Sequence, residues 1–280
     1  MLARNASPFT FKGTGTYIVG HGQVAVIDPG PDLPEHIAAL EQALAGETVT
    51  HILITHTHLD HSPAAAALKR MTGAASYGFG SHGSGRAEEE AGIAFGIVEE
   101  GGDRDFTPDH TMREGDRVEG PGWSLAALET PGHTSNHLCF DLAEEKTLFT
   151  GDHVMGWSTS VVAPPDGDMD SYMRSLEKLL VRGDALYWPT HGPSIVDPKR
   201  HVGAFIAHRR EREAAILARL KSGDTAIPDI VRAVYAGLDP RLVNAAGRSV
   251  LAHLIALMRA GKVTAAGTPG VTAQYRLSAR

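Results

Sequence analysis

The 280-residue sequence holds a single cysteine, Cys139, so no disulfide can form within the chain and a reducing cytoplasm fits. Flanked by Leu138 and Phe140, Cys139 reads as a small buried hydrophobe rather than a reactive thiol. No apolar run approaches the roughly 18 residues that a membrane span requires. Met1-Leu2-Ala3-Arg4-Asn5 lacks the charged-then-apolar opening of a secretory signal. These two lacks predict a cytoplasmic protein without a membrane partner. Internal repeats and low-complexity segments are also missing. What remains, 42% apolar and 21% charged residues, is ordinary for a folded soluble protein, long enough for one large domain and an appendage.

Charge divides the chain. Residues 201–280 carry 12 Lys and Arg against 5 Asp and Glu, whereas residues 1–200 carry 14 against 28. A basic tail on an acidic body marks a domain boundary and permits nucleic-acid contact, although arginines decorating solvent-facing helices give the same count. The pattern changes at the same place. Before it, strands are expected at 14–19, 24–28, 49–55, 123–129, 137–142, 147–150 and 185–188, with helices at 34–44, 63–71 and 168–180. This predicts a two-sheet α/β sandwich with helices outside. Residues 76–110, poor in periodicity and rich in Gly and Glu, read as a long excursion near the site mouth with a short strand at its start. After Pro198 come helices at 201–220, 227–235 and 246–260 and then a short hairpin, the order of a winged helix-turn-helix.

The densest chemistry lies in Thr55-His56-Thr57-His58-Leu59-Asp60-His61-Ser62-Pro63. Ile52-Leu53-Ile54 before it reads as a buried strand, Ser62 as a helix N-cap and Pro63 as the first helical residue. The cluster therefore leaves the C-terminal end of a strand, where α/β folds place ligands. Imidazoles and carboxylates at this density suit zinc, and also iron or manganese. Three further motifs end predicted strands in Gly/Pro turns: Thr130-Pro131-Gly132-His133-Thr134, Thr150-Gly151-Asp152-His153 and Pro189-Thr190-His191-Gly192-Pro193. Ordinary surface or core histidines do not account for five His and two Asp all placed at strand ends. His137 and His153 adjoin the motifs and are expected to orient ligands. His82 and His110 fall in the long excursion, and Trp157, Phe79 and Phe106 are candidates to stack on a base or pack a thioester tail.

The order H-x-H-x-D-H, P-G-H-T, G-D and T-H-G-P over residues 55–193 resembles the metallo-β-lactamase superfamily. The resemblance implies an α+β fold, a four-layer αβ/βα sandwich in residues 1–200, followed here by a winged-helix-like domain in residues 201–280. It implies that His56, His58 and His133 hold one metal, that Asp60, His61 and His191 hold a second, and that Asp152 bridges them. Two zinc ions, with iron or manganese as substitutes, would then supply a bridging hydroxide, and Asp60 would also handle protons during catalysis. The β-lactamase branches themselves lack a bridging aspartate at the Asp152 position, which disfavours antibiotic hydrolysis. Gly13-Thr14-Gly15-Thr16-Tyr17, Gly156-Trp157-Ser158-Thr159 and the winged-helix-like tail resemble the LACTB2-like branch, some members of which cleave single-stranded RNA. The expected activity is metal-dependent hydrolysis of a single-stranded RNA or of a small-molecule ester, thioester or lactone, in the manner of hydroxyacylglutathione hydrolases. Alternatives of another class are a mononuclear iron persulfide dioxygenase and a nucleic-acid-binding regulator. The oligomeric state stays open, a homodimer included.

Overall fold

A computed structural model describes residues 1–86 and 101–279. The acidic runs at 88–90 and 99–100 of the predicted excursion lie outside the described residues. The first sheet has the order β1 (Tyr17–His21), β2 (Gln23–Ile27), β3 (Thr48–Leu53), β4 (Ala75–Gly78), β5 (His110–Thr111). The second runs β10 (Leu186–Pro189), β9 (Thr147–Gly151), β8 (Leu138–Leu142), β7 (Trp123–Glu129), β6 (Arg117–Gly120). Strand periodicity sorts the side chains into layers. On β2, Ala25 and Ile27 face the second sheet, where they meet Leu125, Leu138 and Phe140. Val24 and Val26 face the other way and pack with Leu40 of α1 (Pro34–Ala43) and Leu68 of α2 (Ala64–Thr72). On β8 the same alternation sends Cys139 outward, against Tyr172 and Leu176 of α3 (Met169–Leu180). Four layers result, helices outside two face-to-face sheets.

Cys139 is fully buried, and burial pushes its thiol up to about 12, in keeping with an inert hydrophobe. Helix signals act locally. Asp168 caps α3 by accepting the Ser171 N–H at 2.8 Å. Ser62 departs from expectation. Its hydroxyl donates to Asp103 at 2.7 Å instead of capping α2, and Pro63 takes the cap position. Asp103, brought close only by the tertiary fold, accepts the hydroxyl proton and sets the direction of the side chain.

The long helix α4 (Pro198–Lys221) opens on Pro198 after the Asp197 cap. Its first half adds Val202, Phe205 and Ile206 to the α3 layer. Its second half adds Ile216 and Leu220 to a separate core with α5 (Ile227–Val234), α6 (Val243–Arg259) and the antiparallel pair β11 (Val263–Ala266) and β12 (Gln274–Leu277). A division at residue 200 falls inside the first turn of α4, and this helix belongs to both cores. Many arginines of the basic tail are tied up. Arg210, Arg219, Arg232, Arg241, Arg259 and Lys262 each pair with a carboxylate. Among the described residues no helix is long and apolar enough to cross a membrane.

His253 of α6 sits where the two cores meet. Burial, then Arg209 and His208, lower its pKa from 6.5 to about 3. The folded state thus favours neutral His253, so its stabilising contribution is present above pH 6.5 and is lost as pH falls toward about 3. His253→Leu is expected to make the unfolding free energy less steep in pH across that window, measured by urea denaturation at several pH values. An unchanged slope would exclude this linkage.

Candidate metal centre

Four loops meet at one edge of the sandwich because their strands share a direction. β9 runs parallel to β10, and β7 shares that direction through two antiparallel pairings with β8. Their C-terminal ends, residues 130–134, 151–153 and 190–193, therefore lie together. β3 in the opposite sheet delivers residues 55–63 to the same edge, joined across by the Leu138 N–H donating to the Thr55 carbonyl at 2.7 Å. Two glycines make this closeness possible. A Cβ at Gly132, next to His133, would lie 2.3 Å from the Tyr172 backbone. One at Gly151, next to Asp152, would lie 2.7 Å from the His137 ring, and Gly151 has φ of +50°.

The seven residues singled out in the sequence converge. His56 Nε2 lies 2.9 Å and His133 Nε2 3.1 Å from His58 Nδ1. His191 Nε2 lies 3.2 Å from Asp60 and 3.3 Å from Asp152 Oδ1, and His61 Nε2 lies 3.4 Å from Asp60 and 3.6 Å from Asp152 Oδ1. Asp152 Oδ2 faces His133 at 3.7 Å. Two groups able to hold a metal emerge: His56, His58, His133 and Asp152 in one, and Asp60, His61 and His191 in the other. Asp152 turns one oxygen to each. His58 and Asp60 are the two partly exposed members, and the other five are buried.

The outward ring nitrogen is engaged on four of the five histidines, which fixes their tautomers. His133 Nδ1 donates to the Val161 carbonyl at 2.6 Å, His191 Nδ1 to the Gly13 carbonyl at 3.1 Å and His61 Nδ1 to Asp28 at 2.9 Å. His56 Nδ1 lies 3.1 Å from the Thr55 hydroxyl, which itself donates to Asp28 at 2.7 Å. In the neutral form each thereby aims a lone pair at Nε2 inward. His61 Nε2 and Asp152 Oδ1 are buried and have no hydrogen-bond partner among the described residues. Inward lone pairs crowded against each other, with orphaned buried acceptors beside them, are what a cation would satisfy. The donor set fits divalent ions.

Electrostatics divide the groups in the same way. Burial and the neighbouring imidazoles hold His56 well below its ordinary value, and burial together with His133 brings His58 to about 3. Burial opposes protonation of His191 too, but Asp152 and Asp60 outweigh it and raise it to about 10. His61 is raised well above its ordinary value against the same burial, by Asp60, Asp152 and Asp28. Burial acts to raise Asp60 and Asp152 as well, yet the facing His61 and His191 hold both carboxylates well below the usual range.

His137 orients the site as expected, accepting the Asp152 N–H at Nε2, 3.2 Å away, while Nδ1 meets the Thr130 hydroxyl at 2.8 Å. His153 does not. Neither ring nitrogen has a partner among the described residues, and the ring packs on Tyr172, 4.7 Å between centroids; His153 is hydrogen-bonded through its backbone. His82 meets the Thr57 hydroxyl at 3.0 Å, and His110 stacks on Tyr77. Phe79 lies beneath Arg113, and Phe106 packs with the helix-side core of the first sheet. Asp28 was missed, though it ends an apolar strand before Pro29-Gly30, the same strand-end pattern as the four motifs. Thr14, whose hydroxyl donates to Asp60 at 2.8 Å, lies in the Gly13-Thr14-Gly15-Thr16-Tyr17 stretch, but nothing local marked it as a partner of Asp60.

Residues 10–191 match the metallo-beta-lactamase superfamily model and residues 226–270 the beta-lactamase associated winged helix domain. The beta-lactamase-like protein 2 homolog of Caenorhabditis elegans is 31% identical over 241 residues, covering 84% of this chain and 75% of that protein. An atrochrysone carboxyl ACP thioesterase of Aspergillus aculeatus is 32% identical over 223 residues, 79% of this chain. The match spans 64% of that thioesterase, less than two thirds of its length. The crystal structure of a metallo-beta-lactamase family protein from Thermus thermophilus superposes with a TM-score of 0.76 at 25% identity, over 97% of this chain and 96% of that one. The chain belongs to the metallo-beta-lactamase superfamily, as a LACTB2-like metal-dependent hydrolase with a winged-helix domain.

Proposed function

We propose that this protein is a dinuclear zinc hydrolase that cleaves a small-molecule ester or thioester by attack of water. The observation that carries this reading is the division of seven inward-facing residues into two groups that share Asp152. His56, His58 and His133 would hold one ion, Asp60, His61 and His191 the other, and Asp152 would bridge them. Five imidazoles and two carboxylates without a thiolate suit zinc and accommodate iron or manganese. Two ions so held would supply an acidified water and Lewis-acid polarisation of the scissile carbonyl.

The chain's own contribution centres on Asp60. Its side chain is 24% exposed against 10% for Asp152, so it is the carboxylate that incoming substrate can reach. Thr14, His61 and His191 fix its orientation. Asp60 is thus placed to take a proton from the attacking water and return it to the leaving group. Elemental analysis is expected to find two zinc ions per chain. One iron and no zinc would favour the oxygenase reading instead.

Beside the His191 loop, Phe11 stacks on Trp157 with centroids 5.0 Å apart and planes 17° from parallel. Both rings are more than a third exposed. Gly13, two residues after Phe11, accepts from His191, and Gly156, next to Trp157, donates to the His191 carbonyl at 2.9 Å. An apolar lip at the reacting edge suits an acyl group. Trp157→Ala is expected to raise KM about tenfold for bulky acyl or aryl thioesters while an S-acetyl thioester is turned over almost unchanged. Equal effects on both substrates would remove the lip from the reading.

Single-stranded RNA is the second reading, because exposed aromatic rings also stack bases. Against it stands the pairing of six basic side chains of the winged-helix region with carboxylates, which leaves fewer cations to neutralise phosphates. A panel of thioesters, esters, lactones and single-stranded RNA decides between them. Cleavage of RNA with every thioester and ester left intact would reverse the assignment.

A further inference from the structure

Arg209, in the middle of α4, is 3% exposed. A buried guanidinium is costly unless its donors are placed, and here one is placed on the catalytic domain. Its Nη2 donates to the Ser160 carbonyl, and the guanidinium carbon stands 5.2 Å from the centroid of the Tyr172 ring. The Ser160 hydroxyl in turn donates to the Asp152 carbonyl at 2.5 Å and the His153 carbonyl at 3.0 Å. The next residue, Val161, supplies the carbonyl that orients His133 at Nδ1, 2.6 Å away. The dipeptide Ser160-Val161 therefore anchors the His133 ring and the backbone of Asp152, and Arg209 anchors the dipeptide.

We propose that Arg209 is a positioning residue through which the winged-helix region sets the metal affinity of the His56–His58–His133 half of the centre. The inference rests on the metal assignment proposed above. It gives α4 a task besides packing: the helix is rooted in the C-terminal core through Ile216 and Leu220, and its arginine reaches into the loop after β9. Tyr172 braces the same loop, donating its hydroxyl to the His153 carbonyl at 3.0 Å beneath the guanidinium. His61 and His191 take no support from this segment; their outward nitrogens bond Asp28 and Gly13. The half that holds His133 leans on Arg209 directly, and the other half is linked to it only through the shared Asp152.

The test is competition for Zn2+ between the full-length protein and a chromophoric chelator, fitted with two sites, alongside thermal unfolding of the metal-free form. Arg209→Met and Ser160→Ala are each expected to weaken one site 10- to 100-fold, the usual effect of losing an outer hydrogen-bond partner, and the other, reached only through the shared Asp152, distinctly less. Arg209→Lys, which can still donate to the Ser160 carbonyl, is expected to recover at least half of that loss on a logarithmic scale. Arg210→Met, on the exposed side of α4 and paired with Glu177 at 3.0 Å, is expected to bind as wild type. Should Arg209→Met fail to fold, Arg209→Lys and Ser160→Ala decide, since Ser160→Ala leaves the guanidinium in place. Wild-type affinity at both sites in folded Ser160→Ala and Arg209→Met, or equal weakening of both sites, would overturn the inference alone. A wild-type protein that binds no zinc would overturn the metal assignment and this inference with it.

Discussion

Asp60→Ala is expected to lower kcat by about 10²- to 10⁴-fold, the range associated with losing a positioned proton-transfer group, while the chain keeps its fold. Folding survives because Asp60 is partly exposed and contacts Thr14, His61 and His191 without anchoring any core side chain. The substitution also takes away a carboxylate that raises His61 and His191, so both imidazoles titrate lower in the metal-free variant. Asp60→Asn preserves the shape and the Thr14 contact but not the base, and should be nearly as inactive. Steady-state kinetics on a thioester, circular dichroism and NMR titration of the histidines check the three statements. A variant that keeps more than a tenth of wild-type kcat would remove Asp60 from the chemistry.

The second large effect is on stability and concerns Asp28. This 1%-exposed carboxylate accepts the Thr55 N–H at 2.8 Å, the Thr55 hydroxyl at 2.7 Å and His61 Nδ1 at 2.9 Å. Asp28→Ala leaves three buried donors unmet and should destabilise the protein by about 3–5 kcal/mol, as breaking a buried charged pair does. The same change frees the His61 ring and loosens the Thr55 hydroxyl that orients His56, so zinc affinity should fall about 10- to 100-fold. Urea unfolding of the metal-free protein separates the first effect from the second, which chelator competition reads. Unchanged unfolding free energy would mean that water replaces the carboxylate, and Asp28 would lose its assigned role.

Much of the centre could be read along the chain because its signals are local. A Gly or Pro at a strand end forces the turn, and the neighbouring His or Asp must then project from the edge. That holds for His133 after Gly132, Asp152 after Gly151 and His191 before Gly192. The unbroken apolar run Val24-Ala25-Val26-Ile27 is likewise what a strand buried on both faces requires, and the winged-helix order of elements is legible from periodicity alone. Ser62 shows the limit of local reasoning. Its hydroxyl follows a capping pattern yet bonds Asp103, 41 residues away.

By itself the sequence determined the order of elements in two domains and the seven strand-end residues, through short-range spacing, and its ordered motifs supplied the resemblance that implies the α+β fold and a hydrolytic superfamily. Only the tertiary structure decided what supports them. Asp28 meets His61 across 33 residues and Arg209 meets Ser160 across 49, and no periodicity encodes such partners. The ion pairs that occupy much of the basic tail are equally invisible to a charge count, because which carboxylate an arginine meets depends on how the helices pack. Ligand type is written in residue identity, whereas ligand orientation depends on hydrogen bonds that exist only after the two sheets and α4 have closed around the site.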